Sequence, residues 1–152
     1  MGFKAYITVL IVMAMLVSND SRATDQSMVA SLMLYTPITI TKVQDLSFPD
    51  TVISGTSKNI QVTTASTNAA TFNAHGTKNR NLTRAVVESS IIMSAPGVTG
   101  TITVNSFSRT GPTVFDSNGN ANGFKVGATA RVLSTSLDGN YVGSATFRIV
   151  YQ

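Results

Sequence analysis

Few side chains in this sequence can do acid–base, nucleophilic or metal chemistry. His75 is the only histidine, and it stands in "FNAHGTK" beside a turn glycine. A serine or threonine nucleophile would need it as base, but hydroxyls are so abundant here that proximity carries no information. The residue reads as an exposed strand-end histidine. Beyond residue 23 the carboxylates are Asp25, Asp45, Asp50, Glu88, Asp116 and Asp138, and none are spaced as a recognisable pair for work on glycosides. "DSNGNANG" sets Asp116, Asn118 and Asn120 at positions one, three and five of a calcium loop, but Ala121 fills the sixth position and Gly127 the twelfth. One carboxylate is too little charge to hold the ion, so the segment reads as a flexible hairpin loop. The absence of cysteine removes thiolate metal sites, thiol catalysis and disulfides. No cofactor and no metal is expected, and the chain reads as a non-enzyme.

Binding chemistry is equally sparse. Lys78, Arg80 and Arg84 in "KNRNLTR" are the one local concentration of positive charge in a chain of net charge +4. They read as a solvated loop and strand edge, too thin for a nucleic-acid footprint. "NLT" at Asn81–Thr83 matches a glycosylation sequon, a pattern short enough to arise by chance.

The elements that would position any site are strands. Hydrophobic residues make up 43% of the chain and charged ones 12%, about half the usual charge, with Ser, Thr, Asn and Gly in their place. That mix describes an all-β surface. Residues 1–23 are set aside as a secretory signal peptide. Lys4 supplies the positive region, Ala5–Val17 is a thirteen-residue apolar run, and Ser21 and Ala23 flank a cleavage point before Thr24. The run is short of the ~20 residues a spanning helix needs, and no later stretch could cross a bilayer.

After the leader, "NIQVTT", "AATFNAHG", "TRAVVESSIIMS", "GTITVNSFS" and "GFKVGATARVLS" alternate with turn clusters, and "LDGN" reads as a hairpin turn before the last strand. Seven or eight strands suit an immunoglobulin-like (Greek-key) β-sandwich. Both ends are unusual. Met28, Ala30, Leu32 and Leu34 share one face of an extended lead-in that water alone would cover. The closing "GNYVGSATFRIVYQ" puts Tyr141, Gly143, Ala145, Phe147, Ile149 and Tyr151 on one face of a strand running to the chain end, with no later strand to protect its outer edge. The lead-in either pairs within its own sheet or adds itself to an open edge of another molecule.

Three stretches carry a resemblance. "TPITITKVQDLSFPDTVISG" (Thr36–Gly55), "ATFNAHG" (Ala70–Gly76) and the closing "DGNYVGSATFRIVYQ" resemble the bacterial domain-of-unknown-function family 4402. Ser47 and Pro49 depart from its usual Asp and Gly, which bears on the first turn. That family is similar to chaperone–usher pilin subunits, which implies an incomplete sandwich with a hydrophobic groove beside its last strand. A periplasmic chaperone fills that groove first, and the N-terminal extension of the next subunit then replaces it at an outer-membrane usher.

On this resemblance residues 24–35 are the donor extension and 36–152 the pilin-like domain. Met28, Ala30, Leu32 and Leu34 are then donor side chains. Tyr141, Gly143, Ala145, Phe147, Ile149 and Tyr151 line the acceptor groove, Gly143 and Ala145 leaving room for large donors. The expected product is a head-to-tail homopolymer, exported through the inner membrane of a Gram-negative bacterium, passing through the periplasm and ending as a cell-surface fibre. The alternative is a secreted monomeric adhesin or carbohydrate-binding module. A glycan site would normally cluster Trp or Tyr on loops, but Trp is absent and the four Tyr do not cluster.

Overall fold

The computed structural model describes residues 24–152, and the signal-peptide reading of residues 1–23 lies outside them. The chain divides into two units, Met1–Met33 and Leu34–Gln152. In the first, residues 24–33 belong to no helix or strand, and Met28, Val29 and Leu32 are exposed at 90%, 90% and 84%.

The second unit holds eight strands: β1 (Thr39–Gln44), β2 (Lys58–Val62), β3 (Ala70–His75), β4 (Leu82–Val86), β5 (Ser90–Ser94), β6 (Thr101–Thr110), β7 (Asn120–Val132) and β8 (Phe147–Tyr151). All pairings are antiparallel, and no helix occurs among the described residues. One sheet runs β1-β3-β7-β6-β5, and β2 also pairs with β7. β3 takes the Asn120–Val126 half of β7 and β2 the Ala128–Val132 half, so the two short strands lie end to end along one long one. The second sheet is only β4 and β8.

β7 shows why these residues make a sandwich. Phe124, Val126, Ala128, Ala130 and Val132 are all buried at period two, while Arg131 faces solvent. The alanines leave space on the pleat for larger neighbours. β6 keeps the same rhythm with Ile102 and Val104, which would send Ser106 inward and Phe107 outward. A bulge between Asn105 and Ser108 resets the register, with Ser106 in the left-handed region at φ 53°, and Phe107 packs against the core.

The core is in two parts. Ala74, Leu82, Phe115, Ala121, Phe124 and Ile149 form one cluster, built from both sheets. Ile102, Val104, Ala128, Ala130 and Val132 form the other, built from β6 and β7 alone and covered only by half-buried residues, among them Leu46, Phe48 and Tyr141. The two-stranded sheet therefore covers one half of the larger sheet's inner face.

The strand count and most strand positions match the sequence reading, and four details differ. Asn120–Gly123, read as the end of a flexible loop, are the start of β7. "TRAVVESSIIMS" holds two strands, β4 and β5, which go to different sheets. Leu137–Asn140 is no hairpin: β7 and β8 lie in different sheets, so the turn begins a crossover. The strand expected over Tyr141–Tyr151 is regular only from Phe147.

Phe124 is fully buried at the junction of β3, β7 and β8 and packs on Phe147 at 5.7 Å. Phe124→Ala should cost ~3–5 kcal/mol, read as a lower urea midpoint at unchanged slope.

Candidate functional site: an open strand edge beside an apolar cleft

The two edges of the small sheet are treated differently. β4's outer edge is closed: the amide of Leu82 donates to the carbonyl of Thr113 at 2.8 Å, Asn81 bridges to Val114, and Arg109 Nε donates to the carbonyl of Arg84 at 3.0 Å. β8 pairs with β4 from Leu82↔Tyr151 to Val86↔Phe147, and its opposite edge has no ladder partner among the described residues. An unpaired edge of this kind is a template for another strand.

Beside that edge the inner face of the large sheet is open. A cleft of about 510 Å³ lies between Lys42–Phe48 on one wall and Val142–Phe147 on the other, with Phe72, Ile91, Met93, Val104, Phe107 and Val126 beneath. A second cleft of about 380 Å³ continues from it over Ile60, Ile102, Ala130 and Val132 to the loops around Asp50 and Asp138. Leu46, Phe48, Met93, Val142 and Gly143 border both.

The structure distributes the sequence-derived acceptor residues along this edge. Tyr141 borders one cleft, Ala145 and Phe147 the other, and Gly143 both. Ile149 is buried in the closed core, at 7% exposure. Tyr151 is capped: its ring stacks on Tyr35 at 5.1 Å and tilts against Phe115 at 5.7 Å. Its hydroxyl donates to the carbonyl of Thr36 and accepts from the amide of Thr77 at 2.6 Å. The cleft therefore borders the Phe147 end of β8 and the segment leading into it from Tyr141.

Gly143 has no room for a side chain on this backbone. A Cβ there would lie 2.9 Å from the carbonyl oxygen of Ile92 and 2.9 Å from Met93 Cγ, so the space is already taken by β5. The crossover segment rests against β5 at that point, with Ser94 and Val142 exchanging both backbone hydrogen bonds at 3.0 and 2.9 Å.

The donor-side residues stand apart from any core. Leu34, in the second unit, is 79% exposed, and Ala30 is exposed like Met28 and Leu32.

Sequence reasoning missed two features. Leu46 and Phe48 form a cleft wall, and their period-two spacing after β1 was the available signal. Glu88 gave no signal, because it acts across 58 residues: its carboxylate accepts the amide of Thr146 at 2.7 Å and the hydroxyl at 2.9 Å. It extends the β4–β8 pairing one step toward the cleft, where the amide of Val87 also donates to the carbonyl of Thr146. These bonds, the backbone amide first, hold the Glu88 carboxyl below its ordinary pKa.

The residues considered for chemistry are placed apart. His75 is exposed at the end of β3, its Nδ1 3.2 Å from Asn120 Oδ1. Asp116 spends its carboxylate on its own loop, accepting the amides of Asn118 and Asn120 at 2.8 Å each, which lowers its pKa. No cluster of three His or acidic residues able to hold a metal occurs among the described residues. Arg84, expected at a solvated edge, turns inward beside Leu82 and Val86 and donates to the carbonyl of Pro112 at 2.9 Å. Its strand register leaves it no other direction, since Leu82 must be buried.

The class defined here is an all-β sandwich with one strand edge and part of its core open. The chain belongs to the family described as domain of unknown function DUF4402, whose model matches residues 38–151. No curated protein matches the chain, and no solved structure does.

Because its folded pKa is depressed, Glu88 contributes stability that is present above the unfolded value and lost as pH falls through the folded one. Urea midpoints followed from about pH 6 down to about pH 3 should fall more steeply for the native chain than for Glu88→Gln. Tyr151→Phe leaves the Thr77 amide and Thr36 carbonyl without their shared partner and should cost ~1–3 kcal/mol in the same assay.

Proposed function

We propose that this protein is a structural subunit of an extracellular fibre, assembled by donation of the Met28–Leu34 segment of one copy to the open β8 edge of the next. The observation that carries the reading is the unpaired β8 edge lying beside an apolar cleft that the chain's own second sheet leaves uncovered. A strand placed there gains ladder hydrogen bonds and buries side chains together, the physics of β-augmentation. The chain also carries a segment of the right kind: Met28, Ala30, Leu32 and Leu34 alternate on one face and are exposed. At ~1.5–3 kcal/mol for each large side chain buried, Met28, Leu32 and Leu34 would contribute several kcal/mol before ordering costs.

On this reading the sandwich is immunoglobulin-like with its last strand missing. The large sheet β1-β3-β7-β6-β5 then faces a small sheet that a donated strand would enlarge beside β8. Head-to-tail donation does not close on itself and yields a filament. The resemblance drawn above adds a periplasmic chaperone and an outer-membrane usher as assembly partners, export behind the leader, and a role without enzymatic activity.

The mature chain, made with and without Thr24–Leu34 and run unboiled in SDS, tests this directly. The full form should give a ladder that collapses to monomer on boiling, and the truncated form monomer only. Monomer from both would end the proposal. Leu32→Asp should block polymerisation while leaving export intact, because a carboxylate cannot enter the cleft uncompensated; fibres from that variant would displace the assigned register.

A further inference from the structure

We infer that successive copies also meet through a charged contact, in which the basic end of the donating copy, at Lys78 and Arg80, docks on the acidic mouth of the acceptor cleft, at Asp50 and Asp138. The inference rests on the strand-donation reading and names a second surface used by the same assembly.

The sandwich has two distinct ends. Register places the start of β1, the end of β3 and the start of β7 together, through Thr39↔His75 and His75↔Asn120. The end of β8 lies at the start of β4, through Leu82↔Tyr151. Tyr151 joins these two groups through its bonds to Thr36 and Thr77. The donor segment therefore leaves from this end, at Leu34 and Tyr35. The Arg80 guanidinium sits over the Tyr35 ring, 5.1 Å from its centroid, and Lys78 lies exposed two residues earlier in the same turn. Two cations thus flank the point of exit. The one carboxylate nearby, Asp116, is already held by two amides.

The opposite end carries the loops that border the smaller cleft, and these supply Asp50 and Asp138; the one ammonium in the same loop region, Lys58, is held on the carbonyl of Val52 at 2.8 Å and pairs with neither. Asp45, beside the larger cleft, is already paired with Lys42 at 2.7 Å. Among the described residues, Asp50, Asp138 and Lys78 enter no ion pair.

Chain connectivity turns this polarity into a docking rule. Tyr35 directly follows the last donor residue, so whichever end of the acceptor edge receives Leu34 also receives Arg80 and Lys78. A donor antiparallel to β8 brings Leu34 to the Tyr141 end, where Asp50 and Asp138 wait. A donor parallel to β8 brings the same cations to the acceptor's own Lys78 and Arg80. Opposite charge favours the first arrangement and like charge penalises the second. Charges at an interface rim act mainly on the association rate and its salt dependence, so the contact sets the direction and speed of docking, while the apolar cleft supplies adhesion.

Ladder formation by the refolded mature chain, followed by unboiled SDS gels over time, tests the contact. Assembly of the native chain should slow as NaCl rises from about 20 mM to about 500 mM. Lys78→Glu should slow it about tenfold at low salt and flatten the salt dependence. Asp138→Lys, on an exposed loop, should do the same alone and restore the rate when combined with Lys78→Glu. A native ladder whose rate ignores salt, with both single variants assembling normally, overturns the charged contact and leaves strand donation standing. Double variants no faster than the singles overturn the pairing of these two residues. A native chain that forms no ladder at any salt overturns both readings.

Discussion

A two-stranded sheet laid on a six-stranded one cannot cover it, and that mismatch governs this protein. The first core cluster has residues from both sheets above and below it and is closed. The second is lined from below by Ile102, Val104, Ala128, Ala130 and Val132, and above it stand only loop side chains and space. The missing layer and the missing ladder partner of β8 are the same deficiency seen in two currencies, apolar surface and backbone hydrogen bonds. On the proposed reading, a single added strand would supply both.

The surrounding details make sense as ways of holding that opening in shape. Glu88 binds Thr146 and keeps the edge registered with β4 up to the cleft. The Ser94–Val142 pair and the bare face of Gly143 anchor the crossover against β5, so the rim stays at a fixed distance from the cleft floor. Tyr151 closes the far end under Tyr35 and ties the chain's exit to the end of β8. The absence of cysteine leaves this work to packing and hydrogen bonds alone. Polarity follows from the same arrangement, because one end of the sandwich releases the chain and the other opens the cleft.

Much of this was legible in residue order. Period-two alternation located the strands, and it marked Met28–Leu34 and Tyr141–Tyr151 as one-faced segments, since alternation depends only on the pleat of a single strand. It could not say that regular pairing in the last strand starts at Phe147, because a ladder ends where its partner ends, and β4 stops at Val86. Nor could it tell that Gly143 lies against β5, or that Arg84 is half-buried with its guanidinium on the Pro112 carbonyl; both depend on which segment arrives next to them. Glu88 was invisible for the same reason, its partner lying 58 residues away.

The sequence by itself determined the all-β class, the approximate strand count, the lack of a thiol, and which face of most strands is apolar. These are properties of local composition and backbone geometry. Only the tertiary structure decided how the strands divide into a sheet of six and a sheet of two, which edge stays open, how far the cleft extends along it, and that Lys78 and Arg80 lie at the opposite end from Asp50 and Asp138. Those outcomes depend on contacts between distant segments, and a periodicity of two, identical for every strand, carries no record of which neighbour each one will meet.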